Sequence, residues 1–213
     1  MSSTERRERE KQELRWKILD TARQMFVNEG YDAVSMRKIA QKIEYSPTAI
    51  YLHFKDKEAL FTELCSGDFR KLAHAFATIA EVKDPVERLR QIGQSYLGFA
   101  LEYPNHYRLM FMTPHPENHS PEEIDKGNPQ EDAYAFLKHT VEACLKAGRF
   151  RPELRNAELI AQTLWAGVHG VASLQIAKHD DHWVAWRPIT ERSKLMLDAL
   201  FRGLLKDAGK ERN

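Results

Sequence analysis

The segment spanning residues 35–54 constrains the fold of this chain more than any other part of the sequence. Ser35 can cap a short helix, because its side-chain oxygen can accept a hydrogen bond from a free backbone N–H group. The positions of that helix that would face a core are apolar: Ile39, Ala40 and Ile43. Ser46 followed by Pro47 then predicts a second helix start, since proline at the first helical position loses no backbone hydrogen bond. Two short helices joined by so tight a turn must cross steeply, which predicts a helix-turn-helix unit.

The second helix has an outward face suited to reading DNA. Ile50 and Phe54 are four residues apart and can anchor the helix to a core. Thr48 can hydrogen-bond to a base edge or a phosphate, and Pro47 or Ala49 can contact a thymine methyl group. Longer side chains with the reach for flanking phosphates follow: Tyr51, His53, Lys55 and Lys57. Short helices with this start also occur as ordinary structural elements, so the segment alone does not decide between the two roles.

The flanking sequence indicates a family. Upstream, apolar residues recur with helical spacing before a predicted helix stop at Gly30: Trp16, Ile18, Leu19, Ala22, Met25 and Phe26. The stretch ILDTARQMFVNEGYDAVSMRKIAQKIEYSPTAIYLHFKDKEALF resembles the N-terminal signature of the TetR family of bacterial transcriptional regulators, including its landmarks Tyr51, Phe54 and Lys57. The residues predicted to bind DNA are Ser35, Arg37, Ser46, Pro47, Thr48, Ala49, Tyr51, His53, Lys55 and Lys57.

The turn between the two short helices departs from that family's pattern. The position that usually carries glycine is Glu44 here, and it follows Ile43 instead of alanine. A residue other than glycine is strained if its φ is positive. We therefore expect Glu44 to affect the angle between the helices, and so which bases are read, more than whether DNA is bound.

Length and composition predict a soluble globular protein. The chain has 213 residues, of which 42% are hydrophobic, enough for a substantial core. Its formal net charge is only +1, which argues against a protein that coats nucleic acid by bulk charge. DNA binding would therefore depend on the local presentation of a few basic side chains: Arg37, Lys38, Lys55 and Lys57.

The cysteine spacing and the N-terminal sequence predict a cytoplasmic protein. Cys65 and Cys144 lie far apart without metal-binding spacing, which predicts buried free thiols. The sequence opens with MSSTERREREKQ instead of an apolar signal segment, and no run approaches the roughly 20 apolar residues that span a bilayer. The charged opening is most simply a solvated arm that becomes the first helix. A DNA-contacting role for Arg6, Arg7 and Arg9 is the alternative.

Beyond the motif, the pattern predicts further helices and no strands, giving an all-α fold of roughly nine helices. The predicted segments span residues 56–80, 84–103, 105–111, 128–148, 156–178 and 190–206, with a surface loop or partly disordered insert at 113–130. We expect a helix-turn-helix DNA-binding domain over residues 1–60. A larger helical bundle for ligand binding and dimerisation would cover residues 61–213, with the boundary inside the fourth helix.

The last two predicted helices carry more apolar surface than one core can cover. Residues 159–176 are apolar almost all round, and Gly167 and Gly170 would allow another helix to approach closely. A homodimer through these helices is also what the TetR resemblance implies. Trp165 and His169, together with the two glycines, resemble the WHG-type C-terminal domain of a subset of that family. The predicted interface residues are Gly167, Gly170, Leu197, Leu200, Phe201 and Leu204.

The bundle also contains aromatic residues that could line a small-molecule cavity. The predicted ligand-binding residues are Tyr103, Tyr107, Phe111, Trp165 and His169. Each of them, taken singly, is more simply explained as part of a hydrophobic core. The family resemblance nevertheless implies a pocket for an effector, here predicted to be a small apolar or aromatic compound.

Three classes of function remain: a regulator, a binding module and an enzyme. We expect a repressor that a small ligand releases from a palindromic operator; a helical ligand-binding or protein-interaction module without DNA binding is the alternative. An enzyme is disfavoured, because the chain has no phosphate-binding loop, GxSxG motif or dinucleotide fingerprint. The densest histidine cluster, at residues 179–182, lacks regular metal-ligand spacing, so we expect no metal and no cofactor.

Overall fold

The computed structural model describes residues 2–115 and 125–206, so residues 116–124 of the predicted loop lie outside the described residues. Within those ranges the chain forms no strand and nine helices: α1 (Ser3–Glu29), α2 (Met36–Lys42), α3 (Pro47–Tyr51), α4 (Lys57–Ala77), α5 (Pro85–Glu102), α6 (Pro104–Phe111), α7 (Ala133–Lys146), α8 (Ala157–Lys178) and α9 (Ile189–Leu204). The predicted all-α class is confirmed. None of these described helices is both long and apolar enough to cross a lipid bilayer.

Two compact units divide the chain, and the division falls within α4. Of the described residues, the N-terminal unit contains 2–68 and 105–115, and the C-terminal unit contains 69–104 and 125–206. Apart from its first residue, α6 therefore belongs to the N-terminal unit. The predicted boundary at residue 60 separates DNA binding from ligand binding, and that functional division stays a prediction.

Aromatic rings join α1 to α4 in the core of the N-terminal unit. The ring of Phe26 lies 5.1 Å from that of Phe61, and Tyr31 packs against both. The predicted core positions Ile18, Ala22, Met25 and Phe26 are buried. Trp16 is 70% exposed, so its assignment to this apolar stripe was wrong. Trp16 comes two residues before Ile18, which places it about 160° away around the helix, on the side that faces solvent.

A buried carboxylate links three helices of the N-terminal unit. Asp68 of α4 accepts two hydrogen bonds from Arg23 of α1, at 2.8 and 3.2 Å. Nδ1 of His106, in α6, lies 2.7 Å from the same carboxylate. Because an ionised carboxylate can only accept hydrogen bonds, both partners must donate, and the charge is fully paired.

Side-chain caps set several of the helix starts that the sequence predicted. Ser35, Ser46 and Asn156 each accept a backbone N–H bond from the first turn of α2, α3 and α8. The predicted start of α7 near residue 128 was wrong, because the helix begins at Ala133. Asp132 accepts hydrogen bonds from the backbone N–H groups of the second and third residues of α7 and so fixes the start there.

The C-terminal unit packs α8 against α5, α7 and α9. The inward side of α8 is buried: Ile160, Ala161, Leu164, Val168, Ala172 and Ile176. Gly167 allows the close approach of α9, because a Cβ atom there would lie 2.6 Å from Leu200 and 2.8 Å from Met196. Cys144 of this unit and Cys65 of the N-terminal unit are both buried free thiols, as predicted, and burial raises the pKa of each to about 12.

The turn between α2 and α3 uses a conformation that favours glycine. Glu44 has a φ of 63°, and it is the one residue other than glycine with positive φ in the part of the chain that the structure describes. The backbone N–H of the next residue, Tyr45, donates to Ala40 at 3.0 Å, which closes the end of α2. The expected strain at Glu44 is therefore present.

We expect Glu44→Gly to stabilise the protein by about 0.5 to 1 kcal/mol. Glycine removes the steric cost of this conformation, about 1 to 2 kcal/mol, and returns part of it as extra freedom of the unfolded chain. Urea unfolding at neutral pH measures the difference. Glu44→Ala is the matched control, because it removes the same charge and keeps the Cβ atom. An equal gain in both variants would show that the charge, and not the backbone, destabilises the turn.

Candidate functional site

α3 combines a buried anchor with an exposed outer face. Ile50 and Phe54 are 0% and 3% exposed, as predicted, while Thr48 and Tyr51 point into solvent. Pro47 is also exposed. Ala49, which was not predicted to be an anchor, is half-buried. Pro47, Thr48 and Tyr51 are exposed within one short helix, so they can approach a DNA groove together.

The two predicted DNA-binding serines both act as helix caps. Ser35 Oγ accepts from the backbone N–H of Lys38 at 3.3 Å, and Ser46 Oγ accepts from Ala49 at 3.2 Å. A capping hydroxyl keeps its own hydrogen, so it can still donate to a phosphate oxygen. Arg37, in the first turn of α2, is exposed.

His53 is suited to donate or accept a hydrogen bond without carrying a charge. Burial lowers its pKa, and the positive charges of Arg15 and Lys11 lower it further. The imidazole is therefore neutral at pH 7, since its ordinary pKa of 6.5 already lies below that value. A contact from this residue to a phosphate would add little to the salt dependence of binding.

The two predicted lysines differ in their surroundings. Lys57 donates to the backbone carbonyl of Tyr31 at 2.9 Å, and its ammonium lies 3.9 Å from the centre of that ring. It thereby ties the start of α4 to the connection after α1. Lys55 is exposed and forms no ion pair in the described ranges 2–115 and 125–206. Of the two ammonium groups, that of Lys55 has the greater freedom to move towards a phosphate.

Two basic residues of α1 that the sequence analysis did not select hold the ends of α2 and α3 in place. Arg15 donates to the backbone carbonyl of His53 at 3.1 Å, bonds Glu63 of α4 and stacks 4.5 Å over the ring of Phe54. Lys17 donates to the carbonyl of Ile43 at 3.2 Å, at the end of α2. These partners are separated by 26 to 48 residues, and no local pattern pairs residues so far apart.

The predicted ligand-binding residues fall in both units. Tyr107 and Phe111 belong to the N-terminal unit, where their rings lie 5.0 Å apart and Tyr107 is fully buried. Tyr103 belongs to the C-terminal unit, where Lys71 lies over its ring and its hydroxyl bonds Glu102. Within that unit the structure brings Trp165 and His169 together.

Trp165 and His169 share a hydrogen-bonded partner, Tyr96 of α5. Trp165 Nε1 donates to the hydroxyl of Tyr96 at 3.1 Å, and that hydroxyl lies 3.1 Å from His169 Nδ1. The ring of Tyr134, in α7, packs 5.8 Å from Trp165. Burial lowers the pKa of His169, which keeps its ring neutral at pH 7. We call these four residues the aromatic cluster.

The predicted dimer-interface residues do not share one surface. Leu197 and Phe201 are 6% and 1% exposed, so they lie in the core of the chain's own C-terminal unit and leave almost no surface for a partner. Gly167 approaches α9 of the same chain, and Leu200 and Leu204 are half-buried. Gly170 has no neighbouring side chain or backbone within 4 Å of a Cβ atom placed there.

The solvent-facing side of α8 is an apolar stripe. Its residues recur with helical spacing along the helix: Leu159, Thr163, Ala166, Gly170, Leu174 and Ala177. The two leucines are 58% and 47% exposed, and Leu195 of α9 is 72% exposed. As expected from the sequence, the helix is apolar on both sides, and its own unit covers only one of them.

Two family models match this chain. Residues 18–64 match the model described as bacterial regulatory proteins of the tetR family. Residues 89–200, more than half of the chain, match the model of the tetracyclin repressor-like C-terminal domain. The first match contains α2 and α3, and the second contains the aromatic cluster and the apolar stripe.

Individual relatives and a solved structure agree with these models. The transcriptional repressor Rv1474c of Mycobacterium tuberculosis is 44% identical over 59 residues, which cover 28% of this chain and 32% of that protein. The regulator QacR of Staphylococcus aureus is 26% identical over 190 residues, covering 86% of this chain and 92% of QacR. A TetR family transcription regulator from Marinobacter aquaeolei shares the fold with a TM-score of 0.72, at 19% identity, covering 95% of this chain and all of that one.

We expect His169 to make the protein less stable in mild acid. Its pKa in the folded protein lies below the ordinary value of 6.5, so the unfolded chain takes up the proton first. Stability should fall as the pH drops through 6.5 and level off below the folded pKa. Urea midpoints at neutral pH and at about pH 5.5, compared between wild type and His169→Gln, isolate this effect, because His53 is present in both proteins. An equal loss in both proteins would contradict it.

Proposed function

Because this chain belongs to the TetR family of bacterial regulatory proteins, we propose that it is a sequence-specific transcriptional repressor released from its operator by a small apolar or aromatic compound. The matches to the first two relatives span only about a third of each relative's length, so their activities are carried over as proposals. The repressor acts in the cytoplasm, where bacterial DNA lies, and the proposal includes no catalytic step. The observation that carries it is the anchored α3 with its exposed outer face.

Thr48 reads bases while the surrounding residues hold phosphates. Its hydroxyl is exposed near the start of α3, where the helix is narrow enough to enter a major groove. Lys55 follows α3 and supplies the mobile positive charge, whereas Tyr51 supplies an exposed hydroxyl. Lys57 stabilises the fold through its hydrogen bond to the carbonyl of Tyr31, and its ammonium group also contacts the phosphate backbone. This division of contacts is the usual one, in which phosphates fix the register and base edges carry the sequence.

The protein binds its operator as a homodimer formed through the apolar stripe of α8 and the exposed side of α9. Exposed leucines on one stripe disfavour a monomer in water, since each leaves apolar surface uncovered. Gly170, at the middle of the stripe, lets the two copies of α8 come close. A two-fold interface of this kind places two copies of α3 on a palindromic site, about 34 to 36 Å apart or as DNA bending allows.

The effector binds at the aromatic cluster of the C-terminal unit. Tyr96, Trp165 and Tyr134 supply stacking surface, and His169 supplies a neutral imidazole for one polar group of the compound. By linkage, a compound that weakens DNA binding must itself bind more weakly to the DNA complex, by the same factor. Tyr103, Tyr107 and Phe111 stay predictions as further contacts.

The DNA-binding proposal predicts different losses for Thr48→Ala and Lys55→Ala. Selection of bound duplexes from a random pool first identifies the operator. Thr48→Ala should relax the preference for one or two base pairs, each worth about 1 to 3 kcal/mol, with no change in salt dependence. Lys55→Ala should weaken all duplexes alike and reduce the salt slope by about 2 for a dimer. If the wild type enriches no sequence, the proposed function is wrong; equal effects of the two variants would refute only the assigned roles.

The dimer proposal predicts that charge on the stripe separates the protomers. Leu174→Glu combined with Leu195→Glu should yield folded monomers with at least roughly tenfold weaker operator binding, because two carboxylates would have to be buried at the interface. Analytical ultracentrifugation at micromolar protein measures the mass. Leu101→Glu is the matched control, since this leucine of α5 is also 46% exposed but lies outside the stripe. A wild type that sediments as a monomer would contradict the proposal.

A further inference from the structure

Roughly the first three turns of α1 extend beyond the core of the N-terminal unit. The helix begins at Ser3, yet its first buried residue is Ile18, and all side chains from Ser2 to Glu13 are exposed. At 1.5 Å per residue, the stretch from Ser3 to Leu14 extends for about 17 Å. A capping box fixes its start, with bonds of 3.2 and 2.7 Å between Ser2 and Glu5. The chain thus forms a capped helix whose first three turns are exposed in the part of the chain that the structure describes.

Positive and negative side chains are unevenly distributed around this exposed segment. Arg6 pairs with Glu10 at 3.1 Å and Arg9 pairs with Glu13 at 3.5 Å, so these two cations are neutralised on their own side of the helix. Arg7 and Lys11 form no ion pair within the described ranges. They lie four residues apart and therefore project from the same side of the helix. One side of the segment is balanced in charge, and the other is positive.

The positive side continues the face by which α1 packs on the unit. Positions 7, 11, 14 and 18 follow one helical stripe, and the last two are the core-facing Leu14 and Ile18. An apolar stripe thus changes to a basic one where α1 leaves the core. Arg7 and Lys11 therefore point to the side of α1 on which α2 and α3 lie, and not to the opposite, solvent-facing side.

Contacts of the next turn show which element the positive side approaches. Arg15, four residues after Lys11, donates to the backbone carbonyl of His53 just after α3. The charge of Lys11 is itself close enough to His53 to lower the pKa of that imidazole. The basic side of α1 therefore runs past the C-terminal end of α3, next to the exposed face that carries Tyr51.

We infer that Arg7 and Lys11 form a second phosphate-binding surface, which contacts the DNA backbone beside the groove entered by α3. This inference rests on the proposed function, since it presupposes that α3 faces DNA. The two side chains are one helical turn apart, about 6 Å along the axis, so both can reach one strand. Each phosphate contact releases counterions, so the surface contributes affinity and salt dependence without sequence preference.

The test compares two double variants that remove the same charge from the same segment. Arg7→Gln with Lys11→Gln removes the proposed contacts, whereas Arg6→Gln with Arg9→Gln removes the paired cations. Operator binding is followed by fluorescence anisotropy from about 50 to 200 mM salt, with the duplex recovered by selection. For a dimer, the first variant should lower the salt slope by about 3 to 4 and weaken binding at low salt at least roughly tenfold. The control should change the slope by less than about 1.

Each outcome separates this inference from the proposed function. If wild type and both variants bind with the same slope, the inference is wrong and the repressor assignment stands. Equal reductions in both variants would also overturn it, because they would reflect general charge and not a defined surface. If the wild type enriches no duplex, the proposed function itself fails. Circular dichroism of both variants checks that α1 remains helical, and Arg7→Ala with Lys11→Ala serves as a second variant that keeps high helix propensity.

Discussion

Asp68 is 2% exposed, and its carboxylate is held by Arg23 and His106. Removing either partner would leave a buried charge incompletely paired, at a cost of several kcal/mol. α1, α4 and α6 must therefore adopt positions that keep this network closed. Together with the apolar core, to which α2 and α3 also contribute, this ionic requirement fixes the orientation of α1 relative to α4. That orientation in turn decides where α1 can support α3.

α3 has only five helical residues, too few to be stable alone. Neighbouring elements fix its position. Ile50 and Phe54 are buried in the core, and Arg15 donates a hydrogen bond to the backbone carbonyl of His53, just after the helix. Ser46 satisfies its first turn. This support allows the rest of the helix surface to remain exposed, because stability does not depend on it. Recognition of a base sequence requires a rigid helix with a surface that makes no contacts within the protein.

Local sequence predicted much of the candidate site. Caps at Ser35 and Ser46 need only a hydroxyl at a fixed offset from backbone N–H groups, so the pattern is readable in the sequence. The strain at Glu44 was equally predictable, since the turn requires positive φ whichever residue occupies it. The start of α7 was misplaced because two residues can act as caps: Asn128 accepts from Gln130 in the turn before the helix, whereas Asp132 accepts from the first turn of α7 itself. Trp16 is apolar, but it lies about 160° around the helix from Ile18 and so falls outside the core-facing stripe.

The sequence by itself determined the all-α class, the order of the helices and the family, because these depend on periodicity, caps and a contiguous motif. Tertiary structure alone decided which apolar faces are covered. Leu197 and Phe201 look like Leu174 and Leu195 in sequence, yet the first pair is buried and the second exposed. It also decided which polar side chains that lie far apart in sequence form hydrogen bonds, such as Tyr96 and His169. The physical reason is that burial and hydrogen bonding depend on neighbours supplied by distant segments, and their positions follow only from packing the whole unit.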